Sequence, residues 1–328
     1  MLRFFVKLGI LFASFLIFFA WAECRLSSMP SNYSVKRTLL EKNLTNIEVL
    51  VLGNSQTEGG IDPSLLAYHG LNMALGGEST YYDTQILLKW GRHLPRLKSV
   101  ILPASYFLLE GNPKGPAERS VFYSRYYNIP PAQRRWLHPE LHYFSLFATL
   151  GTQRSIDCLL KNRPHESVNP SGFTDAGWRS SDNRLSTDQV ANVMSGVDEV
   201  LYHESFMDKK YIIQNITSLQ KALTWCKGNN VKAVFITTPF YKTYTDHINQ
   251  ERFALMQASV QTLCSEYGAS YFDFSSDARF TQDDFYNVSH LNSQGARKFS
   301  KILDREVLDP LLKRAVLDGT MPSPVSQR

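Results

Sequence analysis

Two residues far apart in the chain, Ser55 and His290, have the types and settings of a nucleophile and its base. Ser55 follows the apolar run Glu48-Val-Leu-Val-Leu52 through Gly53-Asn54, a short buried-strand signal that ends in a glycine turn. A hydroxyl held on such a turn stands at the edge of a sheet, where a serine nucleophile has to be to meet a substrate. His290 lies in Phe285-Tyr-Asn-Val-Ser-His-Leu-Asn-Ser-Gln-Gly295, just before a helical pattern, and a loop histidine there can take the serine's proton. Acyl transfer through a serine ester is the chemistry such a pair performs. Ser55 also has a plainer reading: with Glu58 three residues on it fits a capping box, although Gly59-Gly60 would stop the capped helix early. His138 and His142 are four apart, but Pro139 disfavours one helix face for both and no third ligand stands near, so neither a metal nor a cofactor is expected.

The elements that must position this pair follow from the hydropathy pattern. Strand-like runs recur at Ser99–Leu102, Val231–Thr237 and Ala269–Phe274, separated by helical periods over Tyr82–Trp90, Tyr211–Cys226, Glu251–Glu266 and Gln294–Val307. Strands alternating with helices imply a parallel sheet covered on both faces, a three-layer α/β/α sandwich. Ligands of open parallel sheets bind beyond the carboxyl ends of the strands, which is where Ser55 falls. Residues 107–205 break the rhythm, rich in Tyr, Pro, Arg and His, and read as a long insertion over one end of the sheet. Phe122, Tyr123, Tyr126 and Tyr127 within it are candidates to line a carbohydrate groove.

With 43% hydrophobic and 20% charged residues over 328 positions, the chain is too apolar for disorder. Its excess of 35 Lys+Arg over 30 Asp+Glu is scattered without a stripe, so no nucleic-acid partner is expected. From Leu8 to Ala22 no residue is charged, and Arg3 and Lys7 precede the run, as in an export signal. Counted from Phe4 to Ala22, with Lys7 snorkelling, a helix of about 28 Å would just cross a bilayer. Ala20-Trp21-Ala22 also fits a cleavage site, so an uncleaved anchor and a signal removed after Ala22 are both open. Either way the basic residues put the N-terminus in the cytoplasm and the body outside it. The expected organisation is a signal anchor or signal peptide over 1–25, a linker over 26–45, the α/β domain over 46–315 and a polar tail over 316–328. Cys158, Cys226 and Cys264 have no metal or disulfide spacing, and Cys226 and Cys264 read as buried thiols on amphipathic helices.

Leu52-Gly-Asn-Ser-Gln-Thr-Glu-Gly-Gly-Ile-Asp-Pro63, Leu71-Asn-Met-Ala-Leu-Gly-Gly77 and Asn287-x-x-His290-Leu-Asn-x-x-Gly295 resemble, in order and spacing, blocks of the SGNH or GDSL-type serine hydrolases. The resemblance covers roughly residues 46–310 and implies an SGNH, flavodoxin-like sheet with Ser55 as nucleophile and His290 as base. It also implies an oxyanion hole at the Ser55 and Gly76 or Gly77 N–H groups, with Ser105 or Asn54 as further donors; Asn72 is a candidate for the same hole, for orienting the second loop or for simply closing a turn. The chain departs from the pattern in three places. Asn54 stands where the first block has Asp, Pro103-Ala-Ser-Tyr106 where the third has Gly-x-Asn, and Asn287 where the last has the acid that orients the histidine. Asparagine fixes a tautomer but gives an imidazolium no charge, so two arrangements stay open: Asp283 or Asp284 substitutes from the same loop, or His290 works with Ser55 as a dyad oriented by a backbone carbonyl. The N-terminal apolar segment and the His-Leu-Asn-x-x-Gly ending are most similar to exported SGNH-like proteins that accompany membrane-bound O-acyltransferases in alginate acetylation and teichoic-acid D-alanylation. That implies a serine esterase or O-acyltransferase acting on a carbohydrate polymer or acyl ester outside the cytoplasm. The same resemblance allows a non-catalytic binding or assembly protein that presents polymer to a membrane acyltransferase.

Overall fold

The computed structural model describes residues 1–113, 115, 117–130, 145–161, 172–179 and 196–317. Along the chain run α1 (Leu2–Ser28), α2 (Asn32–Asn43), β1 (Val49–Val51), α3 (Ser55–Gly60), β2 (Gly70–Asn72), α4 (Thr80–Trp90), β3 (Ser99–Pro103), α5 (Ala117–Tyr127), α6 (Leu146–Leu150) and α7 (Thr152–Lys161). They are followed by α8 (Val197–Glu204), α9 (Ile212–Gly228), β4 (Lys232–Thr237), α10 (Gln250–Tyr267), β5 (Ser270–Asp273), β6 (Phe285–Asn287), β7 (His290–Leu291), α11 (Ser293–Leu303) and α12 (Asp309–Leu317).

β1 to β5 form one all-parallel sheet in the order β2-β1-β3-β4-β5, the order expected of a flavodoxin-like sandwich. Val49, Leu50, Val51, Val100 and Ile101 are fully buried, because helices cover both faces, and this is why the central strands read as continuous apolar runs. α4 packs on α9 and α9 on α10 on one side, while α3 packs on α11 on the other. The chain grows away from β1 in both directions, to β2 and to β3, so a crevice opens beyond the carboxyl ends of β1 and β3. β6 and β7 make a separate antiparallel hairpin whose second strand begins at His290 and leads into α11.

The contacts divide the chain into two units, one of residues 1–37 with 116–171 and one of residues 38–115 with 172–328. The sheet and its helices lie in the second. In the first, Tyr33 stacks on Phe122 with centroids 4.8 Å apart and meets Tyr123 edge-on at 5.3 Å, and the Tyr127 hydroxyl donates to the Tyr33 carbonyl. Phe122, Tyr123 and Tyr127 are therefore buried in this unit's own core rather than lining a groove. Residues 26–45, expected as a linker, are largely helical. Ser31 and Ser34 cap the start of α2 reciprocally, and Tyr33 and Leu40 are buried, a pattern too sparse to read in a polar stretch. All four cysteines are free thiols, with Cys226 on α9 and Cys264 on α10.

Candidate active site

The turn after β1 can be formed only by glycine. Gly53 has φ +124°, and a Cβ there would lie 2.5 Å from Thr57 Oγ1 and 2.8 Å from Pro103. Its N–H is held by Asp83 Oδ1 at 2.9 Å. Asn54, not Ser55, then caps α3: its Oδ1 accepts from the Gln56 N–H at 3.0 Å. Its Nδ2 donates to Ser105 Oγ at 3.0 Å, linking the ends of β1 and β3 through a donor that an aspartate would lack. Relieved of capping, the Ser55 hydroxyl is turned elsewhere.

It meets His290. The hairpin pairs Asn287 with His290, and Asn292 caps α11 by accepting from the Gly295 N–H at 3.0 Å. Gly295 packs so tightly on the turn just before the hairpin that a Cβ would stand 2.1 Å from the Asp284 carbonyl oxygen. The ring is thereby presented with Nε2 2.7 Å from Ser55 Oγ. On its other edge Nδ1 is 2.8 Å from Ser289 Oγ and 2.9 Å from Asn287 Oδ1. The amide oxygen only accepts, so the ring proton belongs on Nδ1 and Nε2 is left to accept the serine's hydrogen. Burial pushes the His290 pKa below its ordinary value, against an opposing pull from the Glu199 carboxylate.

The carboxylate at this edge comes from neither Asp283 nor Asp284. Asp284 Oδ2 accepts from the Thr281 N–H at 2.9 Å and Lys298 Nζ at 2.8 Å, and Asp283 is exposed. Glu199 of α8 stands there instead. Its Oε1 accepts from Ser289 Oγ at 2.6 Å and from Asn287 Nδ2 at 3.4 Å, and lies 3.7 Å from His290 Nδ1. One turn later on the same face, His203 places Nε2 3.7 Å from Glu199 Oε1 while its Nδ1 is 2.6 Å from the Tyr244 hydroxyl. The i,i+4 pair Glu199 and His203 was the only local signal for this cluster, and it sat inside the stretch that reads as irregular.

Among the expected oxyanion donors, the Ser55 N–H is the first of α3 and has no acceptor among the described residues. Gly76 lies beside it: a Cβ on Gly76 would be 3.9 Å from Ser55 Cβ, and Gly77 follows at φ +66°. Asn72 does something different. Its Nδ2 donates to the Thr57 and Ile61 carbonyls, each at 2.9 Å, and its Oδ1 accepts from the Ala74 N–H at 3.0 Å, so its amide ties off the end of α3. Ser105 is likewise engaged with Asn54. No group of three His, Cys, Asp or Glu suited to a metal occurs among the described residues, and His138 and His142 lie outside them.

Residues 208–302 match the family model described as DltD protein, a stretch that runs from Asp208, just ahead of α9, to Ile302 and holds His290 but not Ser55 or Glu199. This bears out the resemblance to the SGNH-like proteins of teichoic-acid D-alanylation. A crystal structure of a presumed acylhydrolase from Bacteroides fragilis superposes with a TM-score of 0.39 at 11% identity, covering 88% of this chain and 96% of the other. At that overlap it adds nothing to the fold, which stands on its strand order. No curated protein sequence matches the chain.

Proposed function

We propose that this chain is an extracytoplasmic SGNH-type acyl-transfer enzyme, held at the membrane by α1, with Ser55 as nucleophile and His290 as general base. The observation that carries the reading is the 2.7 Å contact between Ser55 Oγ and His290 Nε2 at the crevice beyond β1 and β3. Ser55 Oγ attacks the carbonyl carbon of an acyl ester while its proton passes to Nε2. The carbonyl oxygen becomes an oxyanion facing the Ser55 N–H and the Gly76 turn. The C–O bond to the leaving oxygen breaks as that oxygen takes the proton from Nε2, leaving an acyl-serine. A sugar hydroxyl or water, giving its proton to the same nitrogen, then attacks the acyl carbon, and the bond to Ser55 Oγ breaks as that oxygen takes the proton back from Nε2. The DltD match favours an envelope polymer as acceptor and a membrane-bound O-acyltransferase as partner.

A fluorophosphonate probe tests this without knowledge of the substrate. The full chain in detergent should label, Ser55→Ala should abolish labelling with the melting temperature unchanged, and His290→Ala should slow it on the order of 10²-fold or more. A folded wild type that does not label would overturn the reading in favour of a binding or assembly protein, the reading that Asn287 favours.

A further inference from the structure

Asn287 leaves the His290 motif without its acid, yet the ring does not lack a carboxylate. We propose that Glu199, delivered by α8 from outside the motif, is a positioning residue that supplies through Ser289 and Asn287 the charge and the tautomer control an aspartate at 287 would have given. The proposal rests on the acyl-transfer reading above.

The hydrogen-bond directions carry it. Ser289 is fully buried, and its hydroxyl has one proton, which goes to Glu199 Oε1 at 2.6 Å. Ser289 Oγ can then only accept from His290 Nδ1–H, at 2.8 Å. Asn287 has two orientations in principle, and Glu199 selects one. Its amide NH₂ faces the carboxylate, and its Oδ1 receives the Ser289 N–H at 3.1 Å and His290 Nδ1–H at 2.9 Å. Both acceptors on Nδ1 are thus set by one carboxylate, and Nε2 is kept free of hydrogen for Ser55. When Nε2 takes the serine's proton, the imidazolium has Glu199 Oε1 3.7 Å from Nδ1, polarising two hydrogen bonds that point at it.

Among the described residues, the titratable groups that bear on His290 are Glu199 and His203, both on α8. His203 is neutral at working pH, because burial pushes its pKa down to about 3. The buried Tyr244 hydroxyl keeps its proton and can donate to His203 Nδ1, which directs the His203 Nε2–H toward Glu199. The carboxylate is therefore faced by donors from the hairpin and by a neutral donor from its own helix.

Two substitutions separate this role from a structural one. Glu199→Gln keeps shape and hydrogen-bonding capacity but removes the charge. It should slow fluorophosphonate labelling on the order of 10²-fold with the melting temperature unchanged. It should also lower the His290 pKa, read from histidine NMR of the full chain in micelles, because the carboxylate now pulls that pKa up. Glu199→Gln combined with Asn287→Asp should recover labelling to within a few fold of wild type. Asn287→Asp alone should not improve it, since two carboxylates would then crowd one proton. Equal labelling of wild type and Glu199→Gln would overturn the proposal, as would an unchanged His290 pKa or failure of Asn287→Asp to rescue. If the wild type itself does not label, the acyl-transfer reading fails, and the NMR titration still decides whether Glu199 governs the ring.

Discussion

In the proposed role of base, His290 can take the Ser55 proton only while its ring is neutral. Burial lowers its pKa from the usual 6.5, so the neutral form is the one present at neutral pH. The labelling rate should be flat above neutrality and fall as pH drops through a midpoint below 6.5. A midpoint above 7 would show a ring held as imidazolium and contradict the arrangement. His203 adds a stability effect of the same sign. Its folded pKa of about 3 lies below the unfolded value near 6.5, so the unfolded chain takes up the proton first on acidification. Stability is full above about 6.5 and is lost as pH falls toward 3, by on the order of 4 kcal/mol from this one ring. Thermal melts between pH 7 and 4 should show a steeper acid decline for wild type than for His203→Gln. Equal declines would place the sensitivity elsewhere. At this scale Ser55 and His290 were legible because each sits in a run whose neighbours announce a turn, a cap or a helix start. Glu199 was not, because its role exists only across space. Nothing between Val197 and Glu204 refers to a hairpin that begins at Phe285.

The elements hold the pair by a few polar ties rather than by extensive secondary structure. α3 has six residues and β2 three, both too short to be stable alone, and Asn72 joins them. This explains why β2 is not legible in the hydropathy pattern that marks the other four strands of the parallel sheet: Gly70-Leu-Asn72 has one apolar side chain. Asn72 itself was legible as part of a block, but its chemistry was not, since an amide that donates to an oxyanion and one that donates to carbonyls have the same sequence. Asn72→Ala removes the donors to the buried Thr57 and Ile61 carbonyls and should destabilise the chain by about 1–3 kcal/mol. Differential scanning of the variant checks this. A variant with wild-type melting but greatly reduced labelling would instead return Asn72 to the oxyanion hole. The same logic separates Asn54, whose two amide atoms cap α3 and reach Ser105, from the aspartate expected in its place.

For the whole molecule the question is whether α1 stays. Among the described residues α1 is the one helix long and apolar enough to cross a membrane, and its side chains from Phe4 to Phe18 are exposed, a surface that water would not tolerate as a free helix. Its last turns have a different environment. Phe19 meets Phe147 edge-on with centroids 5.8 Å apart, and Ala22 and Leu26 are fully buried. Glu23 caps α6, accepting from the Ser145 hydroxyl and from the Leu146 and Phe147 N–H groups, and pairs with Arg125. The helix thus runs without a break from the apolar segment into the core of the first unit, and Ala20-Trp21-Ala22 lies within it. Cleavage after Ala22 would strip Phe19 and Ala22 from that core, at a cost of about 2–3 kcal/mol by the apolar area lost. We expect an uncleaved anchor: intact-mass measurement of the purified chain should include residues 1–22, and the protein should resist extraction by alkaline carbonate. Protease added outside right-side-out vesicles should digest the body, the orientation that the positive-inside bias of Arg3 and Lys7 ahead of the apolar run favours. A mature chain beginning at Glu23 would overturn the anchor, and digestion only after the vesicles are opened would overturn the orientation.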